Sequence, residues 1–242
     1  MKRISVLLAT MILGILMANA GQVRPKTYTV ASPDGSLKAI VTTDSVIRLE
    51  LFRMGISLLS TDPLGLLLED GTLVGKNPVV KKTEMRNEDR MIRPEIREKS
   101  EMIRDCYQEL KLMFKPDYSL EIRMYDEGLA YRFVLARPGN LVVKHELAGY
   151  RFDPQDSVCL AFENNFYTAY ETPYVYTTIG KTEPGSKFYL PILIHKPDGT
   201  GIWLGESNIR DYPGMWLEKS GLNAVKSLFP GYPLKVKGEG SP

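Results

Sequence analysis

Apolar residues recur at every second position through much of the chain, and that period limits the fold more than any other feature. It sends successive side chains to opposite faces of an extended strand, one buried and one in water. Leu37, Ala39 and Val41 alternate with Lys38, Ile40 and Thr42, and Ile47, Leu49 and Leu51 alternate with Arg48, Glu50 and Phe52. Leu110, Leu112 and Phe114 alternate with Glu109, Lys111 and Met113 in the same way. Residues 118–135 read as a hairpin in which Leu120, Ile122 and Met124 share one face and Tyr131, Phe133 and Leu135 return along it. Asp126-Glu127-Gly128 is expected to make the turn, with Gly128 supplying a left-handed position. A second hairpin is expected around Pro197-Asp198-Gly199, between 191–195 and 201–204.

Further turn signals are Ser32-Pro33-Asp34-Gly35, Glu69-Asp70-Gly71 and Arg137-Pro138-Gly139-Asn140. Their spacing is that of a β-sandwich. Residues 84–105 are rich in Glu, Arg and Met, but Pro94 interrupts any helix there and apolar positions are sparse. That stretch is expected to be a solvated connection with a strand inside. The fold class is all-β: one large antiparallel sandwich with little helix.

The first residues belong to a different problem. Met1-Lys2-Arg3 is a basic start, residues 4–17 are apolar and uncharged, and Ala18-Asn19-Ala20 is a small-x-small cleavage pattern. Residues 1–20 therefore read as a secretory signal peptide, leaving 21–242 as the domain and an exported, periplasmic or secreted product. Loss of Lys2 and Arg3 takes two of the 31 basic side chains and leaves as many as the 29 acidic ones. A neutral chain gives no electrostatic reason to bind nucleic acid or anionic lipid, and no second apolar run approaches a membrane span.

Cys106 and Cys159 are an even pair entering an oxidising compartment, compatible with a disulfide or with two separate buried thiols. With only His145 and His195, no Cys/His cluster for zinc can be assembled. No residue stands out as catalytic. The stretch 162–176 gathers Phe162, Phe166, Tyr167, Tyr170, Tyr174 and Tyr176 with Asn164 and Asn165. Aromatic faces with amide side chains suit sugars, which present C–H faces and hydroxyl edges. Asn164, Tyr170 and Tyr174 are the candidate substrate-binding residues, while packing is the competing role for these rings and for Trp203 and Trp216. Glu206 and Asp211 read as structural or interfacial.

Several segments in order resemble one known module. They are Ser32-Pro33-Asp34-Gly35, Asp62-Pro63-Leu64-Gly65-Leu66, Tyr107-Gln108-Glu109-Leu110, the run from Tyr125 to Phe133, Tyr170-Glu171-Thr172-Pro173-Tyr174, and the run from Glu206 to Met215. Together they are similar to the N-terminal domain of glycoside hydrolase family 97, the bacterial α-glucosidase and α-galactosidase family. The resemblance implies a β-super-sandwich related to the galactose mutarotase fold, packed on a (β/α)₈ catalytic barrel that carries the catalytic carboxylates. It also implies an active-site calcium held mainly by barrel glutamates, with one glutamate reaching across from the N-terminal domain. The matching position here is Glu171. The expected partners are that barrel and an oligosaccharide substrate.

The chain ends at Gly238-Glu239-Gly240-Ser241-Pro242, after a strand-like stretch at 234–237, where the resembled family continues into the barrel. Without the barrel these residues are expected not to hydrolyse a glycoside alone. The alternative function is a stand-alone exported carbohydrate-binding sandwich. Fold analogy also raises an aldose epimerase, which needs His145 or His195 paired with a carboxylate in one cleft.

Overall fold

The computed structural model describes residues 24–97, 99–210 and 212–231, so the proposed signal peptide and the stretch 234–237 lie outside the described residues. Seventeen strands and one 3₁₀ turn at Ile179–Lys181 are described. All of their pairings are antiparallel.

The chain opens with a meander of β1 (Lys26–Ala31), β2 (Leu37–Thr43), β3 (Ile47–Arg53) and β4 (Ile56–Leu68). Its register sets Ala39 opposite Leu51 and Val41 opposite Leu49, so the period-two residues form one buried face. Beyond β4 come β10 (Val143–Arg151), β17 (Ala224–Leu228), β16 (Trp216–Gly221) and β13 (Lys187–Tyr189). With the short β5 (Leu73–Val74) beside β4, they complete a nine-stranded sheet. Gly65 lies in β4 where the β5 backbone crosses closely; a Cβ there would collide with the Val74 carbonyl oxygen.

A second sheet runs β6 (Val79–Ile92), β7 (Ile103–Lys115), β8 (Tyr118–Tyr125) and β9 (Gly128–Leu135). A third runs β12 (Val175–Thr178), β11 (Ser157–Leu160), β14 (Ile192–His195) and β15 (Gly201–Leu204). One continuous core joins all three. Leu110, Leu112, Leu120 and Ile122 of the second sheet meet Ala39, Val41 and Leu49 of the first, and Val158, Ile192 and Ile194 enter from the third. Each fully buried Leu or Ile contributes about 1.5–3 kcal/mol, which makes this core the main source of stability.

The expectation for 84–105 needs correction. Instead of a solvated connection, β6 and β7 pair continuously from Val79 opposite Lys115 to Ile92 opposite Ile103, and Pro94 falls in the turn between them. Charge replaces apolar burial along this hairpin. Arg104 grips Asp89 through two bonds of 2.8 and 2.7 Å, and Arg90 bonds Asp105 at 3.1 Å. Nearer the body, the outer face becomes a charged lattice. The Arg123 guanidinium stacks on the Tyr107 ring at 4.4 Å and donates to Glu109 at 2.7 Å, and Glu121 takes Lys111 at 2.8 Å and Arg132 at 2.7 Å. Burial alone would push the Glu121 carboxyl up, but these two cations outweigh it and hold the group below its ordinary value.

The 118–135 hairpin has the expected faces, with Ile122 opposite Tyr131 and Leu120 opposite Phe133. Its turn is Asp126-Glu127 alone. Gly128 opens the return strand opposite Tyr125 and is not left-handed. The 191–204 hairpin does use its glycine, at φ +87° for Gly199. Both cysteines are free thiols, Cys106 on β7 and Cys159 on β11, which settles the choice left open by the sequence. Among the described residues no helix is long and apolar enough to cross a membrane.

Candidate functional site

The loop from Ala161 to Tyr174 joins β11 to β12 and carries every candidate site residue. Its base is anchored by aromatics. Phe162 pairs with Phe188 by a backbone bridge and an edge-to-face contact of 5.9 Å, and Phe166 meets the buried Trp216 at 5.0 Å. Tyr170 adopts φ +58° and places its ring 4.9 Å from Tyr189 and 6.0 Å from Trp216. Such edge-to-face pairs contribute about 0.5–1.5 kcal/mol each beyond simple burial. A left-handed tyrosine is held only where its surroundings fix it, and here two rings do so.

Glu163, passed over in reading the sequence, closes this loop. Its carboxylate accepts hydrogen bonds from the Thr168 hydroxyl, at 2.7 Å, and from the Thr172 hydroxyl. Those hydroxyls, Thr172 first, hold the Glu163 carboxyl below its usual value. The two threonines downstream of a glutamate were the available signal.

Glu171 follows directly on the strained Tyr170. It is exposed, and among the described residues its carboxylate makes no ion pair or hydrogen bond. Tyr174 is 46% exposed at the end of the loop. Asn164 is exposed at the start of the loop and is not hydrogen-bonded to Glu171, Tyr170 or Tyr174 among the described residues. Among the described residues, then, no hydrogen bond or ring contact joins Asn164, Tyr170 and Tyr174 to one another.

Another set of polar groups lies between the first and second sheets. Glu146 sits on the inward parity of β10, with Ala148 and Tyr150, and accepts the Tyr212 hydroxyl at 3.1 Å. Burial pushes its carboxyl up to about 7, an effect the Tyr212 bond opposes and Glu206 reinforces. Glu206 in turn accepts the Met215 backbone N–H at 2.6 Å and is raised by burial. The Tyr131 and Tyr150 hydroxyls share a 3.0 Å hydrogen bond beside them, and burial pushes Tyr150 up to about 12. Tyr212 thus fastens the 205–215 segment onto β10 and Glu206 ties the segment to itself through Met215, both structural roles; Asp211 lies outside the described residues.

The two histidines are not brought together. His145, on β10 of the large sheet, packs edge-on to Phe229 at 6.1 Å, whereas His195 ends β14 on the third sheet and is exposed. Among the described residues neither histidine makes a hydrogen bond or ion pair with a carboxylate, the pairing an epimerase would need. Trp216 is core and Trp203 is 62% exposed. Among the described residues no three His, Cys, Asp or Glu side chains converge to hold a metal ion.

Fold and loop define an antiparallel β-sandwich domain with an aromatic rim that presents one unengaged carboxylate. The chain belongs to the family described as Glycosyl-hydrolase 97 N-terminal, whose model it matches over residues 30–238. It is 30% identical over 222 residues to a retaining alpha-galactosidase of Bacteroides thetaiotaomicron, across 87% of this chain and 33% of that protein. Its fold is similar to a glycoside hydrolase family 97 enzyme from Pseudoalteromonas sp. strain K8 in complex with acarbose, with TM-score 0.73 and 19% identity over 84% of this chain and 32% of that one. A beta-arabinopyranosidase aligns with TM-score 0.75 and 20% identity over 84% of this chain and 35% of that one. The chain spans about a third of the length of these relatives.

Proposed function

We propose that this domain packs on the (β/α)₈ catalytic barrel of a family 97 glycosidase, walls one side of its oligosaccharide pocket and gives Glu171 to a calcium ion. The observation that carries the reading is the unengaged Glu171 carboxylate, raised on a loop whose base is fixed by Tyr170, Tyr189 and Trp216. Calcium takes six to eight oxygen ligands, and carboxylates are its strongest protein donors. One carboxylate fits a contributed ligand and falls far short of a complete site. When bound, the ion supplies a Lewis acid that polarises a sugar or leaving-group oxygen. Tyr170 and Tyr174 line the sugar side of the loop, where their rings can stack on C–H faces. Export rests on the basic start and apolar run of residues 1–17, with cleavage after Ala20.

Calorimetry of calcium against this chain, alone and combined with a family 97 barrel, tests the assignment. Binding is expected only in the combination, and Glu171→Gln is expected to weaken it by at least about tenfold. Tight binding to the chain alone that survives Glu171→Gln would overturn it. N-terminal sequencing of the exported product is expected to begin at Gly21.

A further inference from the structure

The outer face of the third sheet differs from the rest of the surface, and its register fixes what it shows. Tyr176 on β12 stands opposite Cys159 on β11, Cys159 opposite Leu193 on β14, and Leu193 opposite Trp203 on β15. Two residues along each strand, on the same face, runs a second row of Thr178, Ser157, His195 and Gly201. Between the rows Val158, Ile194 and Ile202 point into the core. With strands about 4.8 Å apart, Tyr176 and Trp203 are carried about 14 Å from each other, and the polar row runs about 7 Å to the side.

Tyr176 sits in register with Cys159 across the β11–β12 pair. The six-membered ring of Trp203 rests over Gly205, where any Cβ would collide with it. Tyr176 is nevertheless 74% exposed and Trp203 62%, with the buried Cys159 and half-buried Leu193 low between them. None of the eight positions is Asp, Glu, Lys or Arg, in a chain that is 25% charged. The outer face of the second sheet is the opposite case, a lattice of Arg, Lys and Glu already paired with one another.

We propose that this face is a glycan platform that takes a short neutral oligosaccharide lengthwise across β12, β11, β14 and β15. Sugar rings offer polarised C–H faces that stack on Trp203 and Tyr176. Their hydroxyl edges find donors and acceptors in Thr178, Ser157 and His195. A face without charge has no ion to desolvate, which suits an uncharged ligand. A protein laid over the same face would have to supply partners for the Thr178–Ser157–His195 row, whereas a sugar carries them on every ring. The platform uses none of Glu171, Tyr170 and Tyr174, although its edge strand β12 continues directly from the loop that carries them. A shallow open surface of this kind binds weakly and, on the assembly with a barrel proposed above, serves to keep polymer near it.

Affinity electrophoresis of this chain in gels containing soluble starch, galactomannan or arabinogalactan tests the platform, with maltohexaose titrated against tryptophan emission. The emission is readable because Trp203 is exposed and the other tryptophan, Trp216, is buried. Retardation in at least one gel is expected, weakened about tenfold by Trp203→Ala and by Tyr176→Ala and largely kept by Trp203→Phe. Glu171→Gln should leave it unchanged, and an unaltered unfolding midpoint shows that each variant is folded. Lack of retardation in all three gels overturns the proposal, as does retardation that survives Trp203→Ala. So does loss of acrylamide quenching of Trp203 on adding a barrel or on self-association, without any glycan effect, because the face is then a protein interface.

Discussion

Asp156 accepts the Lys196 ammonium at 2.9 Å in the interior, across forty positions of sequence. The Asp156 side chain is fully buried and that of Lys196 nearly so, and the pair locks the turn before β11 to the turn after β14. The same carboxylate oxygen also takes the Asp153 backbone N–H at 3.1 Å. Lys196→Ala leaves a buried, unpaired carboxylate and is expected to cost about 3–5 kcal/mol, read from the urea midpoint. Asp156→Asn with Lys196→Met removes both charges and should cost clearly less. Equal losses in the two variants would refute a charge-pairing role.

Glu146 makes stability fall as pH rises. Its carboxyl is raised from 4.5 in the open chain to about 7 in the fold, so between those values the folded state holds a proton that the unfolded state has released. The protonated contribution is intact below about pH 4.5, fades toward pH 7 and is gone above it, a loss of about 3 kcal/mol at most. Urea melts at pH 5 and pH 8 should show this slope in the native protein and a flatter one in Glu146→Gln. An unchanged slope in the variant would assign the effect elsewhere.

The charged lattice on the second sheet should be graded by burial. Arg123→Ala uncovers Tyr107 and leaves Glu109 with Arg86 at 3.4 Å as its remaining cation, and should cost about 1–3 kcal/mol. Arg93, whose partner Glu101 is exposed, should be replaceable by Ala within about 0.5 kcal/mol. Thermal unfolding of the two variants side by side checks the ranking, and equal midpoints would count against it.

Gly65→Ala should be among the most damaging small substitutions. The added methyl meets the Val74 carbonyl oxygen, and backbone on both sides of the contact belongs to paired strands. A cost above about 2 kcal/mol is expected by chemical denaturation, with a native-like spectrum at low temperature.

Strands with one wet and one dry face were legible from period alone, as in β2, β3 and β7, because burial on one side writes itself into alternate residues. The β6–β7 hairpin was hidden because much of it has no dry side and is held by Arg104–Asp89 and similar pairs, which leave no hydrophobic period. Gly128 misled because a glycine beside Asp-Glu looks like the turn itself, while the two-residue loop needed no third position. At the site, motif order pointed to Glu171. Glu146 was invisible because its inward direction follows from the parity shared with Ala148 and Tyr150, which the charged and half-buried neighbours of β10 obscure. Glu163 was missed because its partners, Thr168 and Thr172, meet it only once the loop has curled over Trp216.

The free thiols of Cys106 and Cys159 carry a practical meaning of their own. No covalent tie joins the three sheets, so everything that holds them together is packing, hydrogen bonds and ion pairs. A reducing cytosol and an oxidising periplasm should therefore yield the same native domain, indifferent to dithiothreitol. Where the protein resides can be altered without altering what it folds into.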